Sequence, residues 1–141
     1  MVESLFLIFV LSLIVFIIVK TYFSESKDPI LKKLKRHYHD NSDEKAVGGE
    51  TEIFYYWDEG KSKNYINGMY VHSNEKGIYI KPTIFNFWLK NLYIPWSELQ
   101  WKGEFRSYLA KKDVYFLCDI GVYIGVSRKH KCNKKGQIQI K

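Results

Sequence analysis

His37 and His39 flank Tyr38 and run into Asp40, while His130 and Cys132 stand close together near the other end of the chain. Side chains of these types could hold zinc, which takes three or four nitrogen, sulfur or oxygen ligands. Neither group supplies that number alone, and nothing in the spacing requires the two to converge. Exposed histidines beside a basic helix account for the first group. Asp58 and Glu59 are the next pair able to do acid–base work. They lead into Gly60 and Lys61, a turn sequence whose carboxylates are expected to be solvated. No Gly-x-Ser-x-Gly, phosphate-cradling glycine loop, His-Glu-x-x-His or Cys-x-x-Cys occurs. The chain therefore reads as a non-enzyme, with no catalytic residue, no metal and no cofactor.

The chemistry that remains is that of binding. The formal charge is +7, from 22 Lys and Arg against 15 Asp and Glu. It is unevenly spread. Residues 40–59 hold seven acids and only Lys45 as a base, whereas Arg128, Lys129, Lys131, Lys134, Lys135 and Lys141 close the chain with no acid among them. Such basic surface suits nucleic acid or an anionic membrane. Nucleic acid is disfavoured, because the aromatics alternate within strand-like runs instead of interleaving with arginine, present only as Arg36, Arg106 and Arg128. Two stretches are candidates for contact with a bilayer or a partner. One is Lys32, Lys33, Lys35 and Arg36. The other is the run from Lys81 to Lys90, where lysines bracket Phe85, Phe87 and Trp88. That run is either a strand buried on both faces or an edge whose aromatics enter the interface while Lys81 and Lys90 meet phosphates.

The element that must position these residues is the apolar run 4–19, in which fourteen of sixteen positions are Leu, Ile, Val or Phe. At about −0.3 to −0.6 kcal/mol per residue, it gains roughly 4 to 8 kcal/mol on insertion into a bilayer. The run covers only about 24 Å of a roughly 30 Å core, so Thr21, Tyr22 and Phe23 extend it and Lys20 snorkels. The run is longer than a cleavable signal core and lacks small residues at a cleavage site, so a retained single-pass anchor is expected. Lys20, Lys27, Lys32, Lys33, Lys35 and Arg36 all follow the run. The positive-inside rule then puts the N-terminus outside and the soluble part in the cytoplasm, at the inner membrane. Two cysteines with no evident pairing fit a reducing compartment.

Residues 1–23 thus form a transmembrane anchor and 24–50 a linker containing a basic helix. Residues 51–141 are left for a β-rich soluble domain, enough for one core. Asp28-Pro29 predicts an N-cap and first helical position. Ile30, Leu31, Leu34 and Tyr38 then recur at helical spacing, with the basic residues on the other side. Short runs rich in Val, Ile, Tyr, Phe and Trp predict strands at 51–57, 69–72, 77–81, 83–89, 91–94, 99–107, 112–120, 122–128 and 136–140. Strands 69–72 and 77–81 form a hairpin, with Gly77 available for a left-handed position after the turn. Trp57, Trp96 and Trp101 are expected in the core. The fold class is an N-terminal transmembrane α-helix followed by a small β barrel or sandwich with one short amphipathic helix.

Met69-Tyr70-Val71, Gly77-Ile78-Tyr79-Ile80 and Leu92-Tyr93-Ile94-Pro95-Trp96-Ser97-Glu98-Leu99 resemble a bacterial family of small single-pass membrane proteins of unknown function. The soluble part of that family is similar to pleckstrin-homology or GRAM-like domains. The resemblance implies a pleckstrin-homology-like barrel in which the chain makes one tight turn after Pro95 and begins the next strand. It also implies a helix plugging the barrel. Either helix 29–38 takes that place or the β arrangement differs. The resulting expectation is a non-catalytic, membrane-tethered binding module that contacts lipid head groups of an anionic leaflet or a membrane protein. The alternative is a small immunity or antagonist protein that blocks a toxin at the membrane.

Overall fold

A computed structural model of the chain describes residues 1–39, 50–83, 89–108 and 110–128. Helix α1 runs Val2–Ser26. Its apolar part, Val2–Phe23, is 22 residues long and leaves its side chains uncovered by the rest of the protein. At 1.5 Å per residue that part measures about 33 Å, long enough and apolar enough to cross a membrane. Two of its hydroxyls do not oppose this, because Ser12 Oγ and Thr21 Oγ1 each donate to the carbonyl four residues back, at 2.8 Å.

Helix α2, Pro29–Tyr38, follows after only Lys27 and Asp28. Asp28 caps it as its sequence predicts, Oδ1 accepting from the Ile30 N–H at 2.8 Å and the Leu31 N–H at 3.4 Å. Ile30, Leu31, Leu34 and Tyr38 are buried, and Lys32, Lys33, Arg36 and His37 are exposed.

Among the described residues seven antiparallel strands follow: β1 Glu50–Asp58, β2 Asn64–Ser73, β3 Gly77–Pro82, β4 Leu92–Pro95, β5 Leu99–Arg106, β6 Lys111–Leu117 and β7 Val122–Ser127. Their order across the sheet is β4-β3-β2-β1-β7-β6-β5. Laid flat, seven strands about 4.8 Å apart would hold the outermost two roughly 29 Å from each other. Those two, β4 and β5, are joined by a single 3-10 turn, Trp96–Glu98. The four steps from Pro95 to Leu99 reach at most about 14 Å, so the sheet curls into a half-barrel. Trp96 fixes the step: its Nε1 donates to the Asn74 carbonyl at 2.7 Å and its backbone N–H to the Lys76 carbonyl at 3.1 Å. The concave face and the apolar stripe of α2 form the main core, with Leu34, Ile78, Ile80, Ile94, Leu117 and Ile124 fully buried.

Several expectations change. Gly77 is not left-handed; positive φ occurs at Gly60, Gly68, Gly103 and Gly121. Glycine is needed at 77 because a Cβ there would overlap the Ile94 carbonyl oxygen of β4. Trp101 is 55% exposed, beside a register shift between Trp101 and Gly103 that disturbs the inward alternation of β5. Strand β6 stops at Leu117, where Cys118–Gly121 form a turn with Gly121 at φ +66°. Thr83 and Leu89 lie outside any strand, and the rest of the expected strand 83–89, together with 136–140, falls outside the described residues.

Candidate membrane-facing site

The expected contact residues separate into three places. Lys32, Lys33 and Arg36 share the exposed face of α2, with Lys35 half-buried at its side. Lys33 does not point freely outward: its Nζ lies 3.3 Å from Asp58 Oδ1, and Lys61 Nζ lies 3.4 Å from Asp58 Oδ2. Asp58 is only 15% exposed at its side chain, so this turn acid ties α2 to the β1–β2 turn instead of standing solvated. Lys90 joins Lys35, since both border a small cavity of about 10 Å³ together with Leu31, Leu89 and Leu92. Lys81 does not join them. Ile78 and Ile80 face the core, so Lys81 emerges on the opposite face of β3, exposed. Phe85, Phe87 and Trp88 lie outside the described residues; Leu89, next to them, is buried in the core.

The joint between the helices is held from both sides. Asp28 caps α2 through one oxygen, and its other oxygen accepts the Tyr56 hydroxyl of β1 at 2.9 Å. The end of α1 is thereby tied to the sheet within two residues of where the helix stops. Beside this joint a groove of about 610 Å³ opens between α1 and the β1–β2 hairpin. Leu13, Phe16, Ile17, Lys20 and Thr21 line one wall, and Asp28, Tyr56, Lys63, Asn64 and Tyr65 the other. Lys63 Nζ sits over the rings of Trp57 and Phe105, 5.1 and 5.2 Å from their centroids. These belong to a second, smaller cluster on the face of the sheet away from α2, built from Tyr55, Trp57 and Val114 with Ile53, Phe105 and Tyr123. The Phe105 ring lies over Gly125, where a Cβ would come within 2.8 Å of it.

At the far end of the sheet a cleft of about 440 Å³ is bordered by Glu52, Ser107 and Lys112 among others. Lys112 Nζ stands 3.8 Å from Glu52 Oε2, with both side chains nearly inaccessible, and Glu52 Oε1 accepts the Ser127 N–H at 3.1 Å. The neighbouring Ser107 Oγ and Tyr55 hydroxyl are 2.7 Å apart. At the C-terminal end of α2, burial pushes the Tyr38 hydroxyl above the usual tyrosine range, reinforced by the negative charges of Glu98 and Asp119. His37 and His39 are exposed there, and among the described residues no three His, Cys, Asp or Glu side chains gather to hold a metal ion.

Sequence reasoning missed Lys63 and Tyr65. A signal existed in Lys61-Ser62-Lys63, which ends an otherwise acidic stretch immediately before a strand, but nothing local links it to Lys20. The Glu52–Lys112 pair left no trace, since its members are far apart in the chain. No protein-family model, curated protein or solved structure matches this chain.

Proposed function

We propose that this protein is a non-catalytic binding module tethered to the inner membrane by α1. Its half-barrel is held on the cytoplasmic side, and the exposed face of α2 meets anionic head groups. The pleckstrin-homology-like resemblance of residues 69–99 agrees with a role of this kind, and the basic residues that follow the apolar run favour this orientation. The observation that carries the proposal is the short joint: only Lys27 and Asp28 separate α1 from α2. Five residues from Ser24 to Asp28 bridge at most about 18 Å, and less where they are helical. The first turns of α2 therefore start within one to two screening lengths of the surface, about 10 Å each at 0.1 M salt. Each Lys or Arg so placed contributes on the order of 1 kcal/mol with an anionic leaflet. Among the described residues Lys32 and Arg36 have no carboxylate partner, and Lys33 shares its charge with Asp58.

The test uses the full chain in nanodiscs of phosphatidylcholine with or without phosphatidylglycerol, reading acetylation of individual lysines by mass spectrometry. Lys32 should be modified several-fold more slowly in the anionic discs, and high salt should abolish the difference. Equal rates in the two kinds of disc would refute the proposal. A reporter active only in the cytoplasm, fused after Lys141, checks the orientation.

A further inference from the structure

We propose that the groove between α1 and the β1–β2 hairpin holds one anionic phospholipid from the leaflet on the domain's side. Its phosphate lies between Lys20 and Lys63, and an acyl chain lies along Leu13, Phe16 and Ile17. This deepens the preceding proposal and rests on it, because α1 must span a bilayer whose anionic face meets the domain. The two ends of the groove differ in chemistry. Leu13, Phe16 and Ile17 form an apolar wall continuous with the part of α1 long enough to cross a membrane. Lys20 and Lys63 stand at the other end. From Leu13 to Lys20 the helix rises about 10 Å, enough to pass from the upper acyl chain to the phosphate.

The charges favour an anion there. Among the described residues, neither Lys20 nor Lys63 is ion-paired with a carboxylate, whereas nearby Lys33 and Lys61 both engage Asp58. Lys63 lies over Trp57 and Phe105, and a ring face takes up none of the three ammonium N–H donors with a conventional hydrogen bond. Asp28 also lines the groove and opposes an anion. Its oxygens already accept from the Ile30 and Leu31 N–H groups and the Tyr56 hydroxyl, which hold its charge at the start of α2. Tyr65, 61% exposed on the sheet wall, has the apolar ring and polar tip found at membrane interfaces. A volume of about 610 Å³ accommodates a head group with the first part of one chain, and the remainder continues into the bilayer.

The full chain, extracted in mild detergent from bilayers of mixed phosphatidylcholine and phosphatidylglycerol, is examined by native mass spectrometry. Wild type should retain one phosphatidylglycerol in preference to phosphatidylcholine. Lys20→Gln with Lys63→Gln should lower that retention about tenfold. Lys63→Arg, which keeps the cation over the rings, should preserve it, and near-ultraviolet circular dichroism checks that each variant is folded. Lys32→Gln with Lys33→Gln and Arg36→Gln should leave the retained lipid in place while abolishing salt-dependent protection of the remaining α2 lysine, Lys35. Soluble glycerol 3-phosphate should not displace the lipid, because it lacks the acyl chain. No retained lipid, no preference for phosphatidylglycerol, unchanged retention in folded Lys20→Gln/Lys63→Gln, or displacement by glycerol 3-phosphate would each overturn the groove assignment. None of those results touches the α2 proposal, which fails only if the nanodisc acetylation rates are equal.

Discussion

Asp28→Ala removes two interactions at once. The N-cap to Ile30 and Leu31 goes, and so does the acceptor for the Tyr56 hydroxyl, whose ring is almost fully buried. Loss of an N-cap costs about 1 kcal/mol, and a hydrogen bond to a charged group contributes about 1.5–3 kcal/mol. The combined loss is on the order of 2–4 kcal/mol. In a domain of this size 1 kcal/mol moves the melting temperature by about 4–8 °C, so the variant should melt on the order of 10–20 °C lower. The assay is thermal unfolding of the full chain in detergent, followed by near-ultraviolet circular dichroism, in which the many aromatics of the sheet report tertiary packing. Tyr56→Phe alone should cost about 1–2 kcal/mol. If the two side chains act through one bond, the double variant should cost less than the sum, by a coupling on the order of 1 kcal/mol. Asp28→Asn, which keeps a cap acceptor, should recover most of the helix term. Losses that add to within about 0.5 kcal/mol would refute the reasoning that Asp28 joins α2 to β1.

Other outcomes follow from the same geometry. Gly77→Ala should destabilise by about 1–3 kcal/mol or prevent folding, because its Cβ meets strand backbone; Gly60→Ala, open on all sides but at φ +73°, should cost only about 1–2 kcal/mol, and chemical denaturation ranks the two. Lys112→Met should cost about 3 kcal/mol by taking the nearby cation from Glu52, whose side chain is nearly inaccessible, and adding Glu52→Leu should recover part of it in the same assay. Tyr38 holds its proton more tightly folded than unfolded, so its contribution is complete below pH 10, the ordinary tyrosine value, and is lost as pH rises above it. Stability above pH 10 should fall by up to about 1.4 kcal/mol per pH unit on account of this group, and Tyr38→Phe should flatten that part of a pH–stability profile.

The elements legible in the sequence are those fixed by neighbours along the chain. The apolar run of α1, the Asp28-Pro29 cap with its 3.6-residue stripe through Tyr38, and the turn at Asp58–Lys61 each depend on residues a few positions apart, so composition and spacing suffice. The Pro95–Leu99 step is local too, and it appears as a single turn between two strands. Of the expected contact residues, Lys32, Lys33, Lys35 and Arg36 do fall on one helix, because helical periodicity is local. What that helix faces was not local. Lys33 meets Asp58, 25 positions away, and Lys35 meets the surroundings of Lys90. The role of Gly77 and the exposure of Trp101 required knowing which strand lies alongside and where its register shifts. Lys20 and Lys63 stand on two elements whose separation no periodicity encodes. The sequence by itself determined the two helices, the approximate places of most strands and which end of the apolar helix is cationic. The curl that brings β4 to β5, the burial of Glu52 with Lys112, and the groove beside α1 came from tertiary structure alone, because pairing between strands distant in sequence is chosen by the whole core at once.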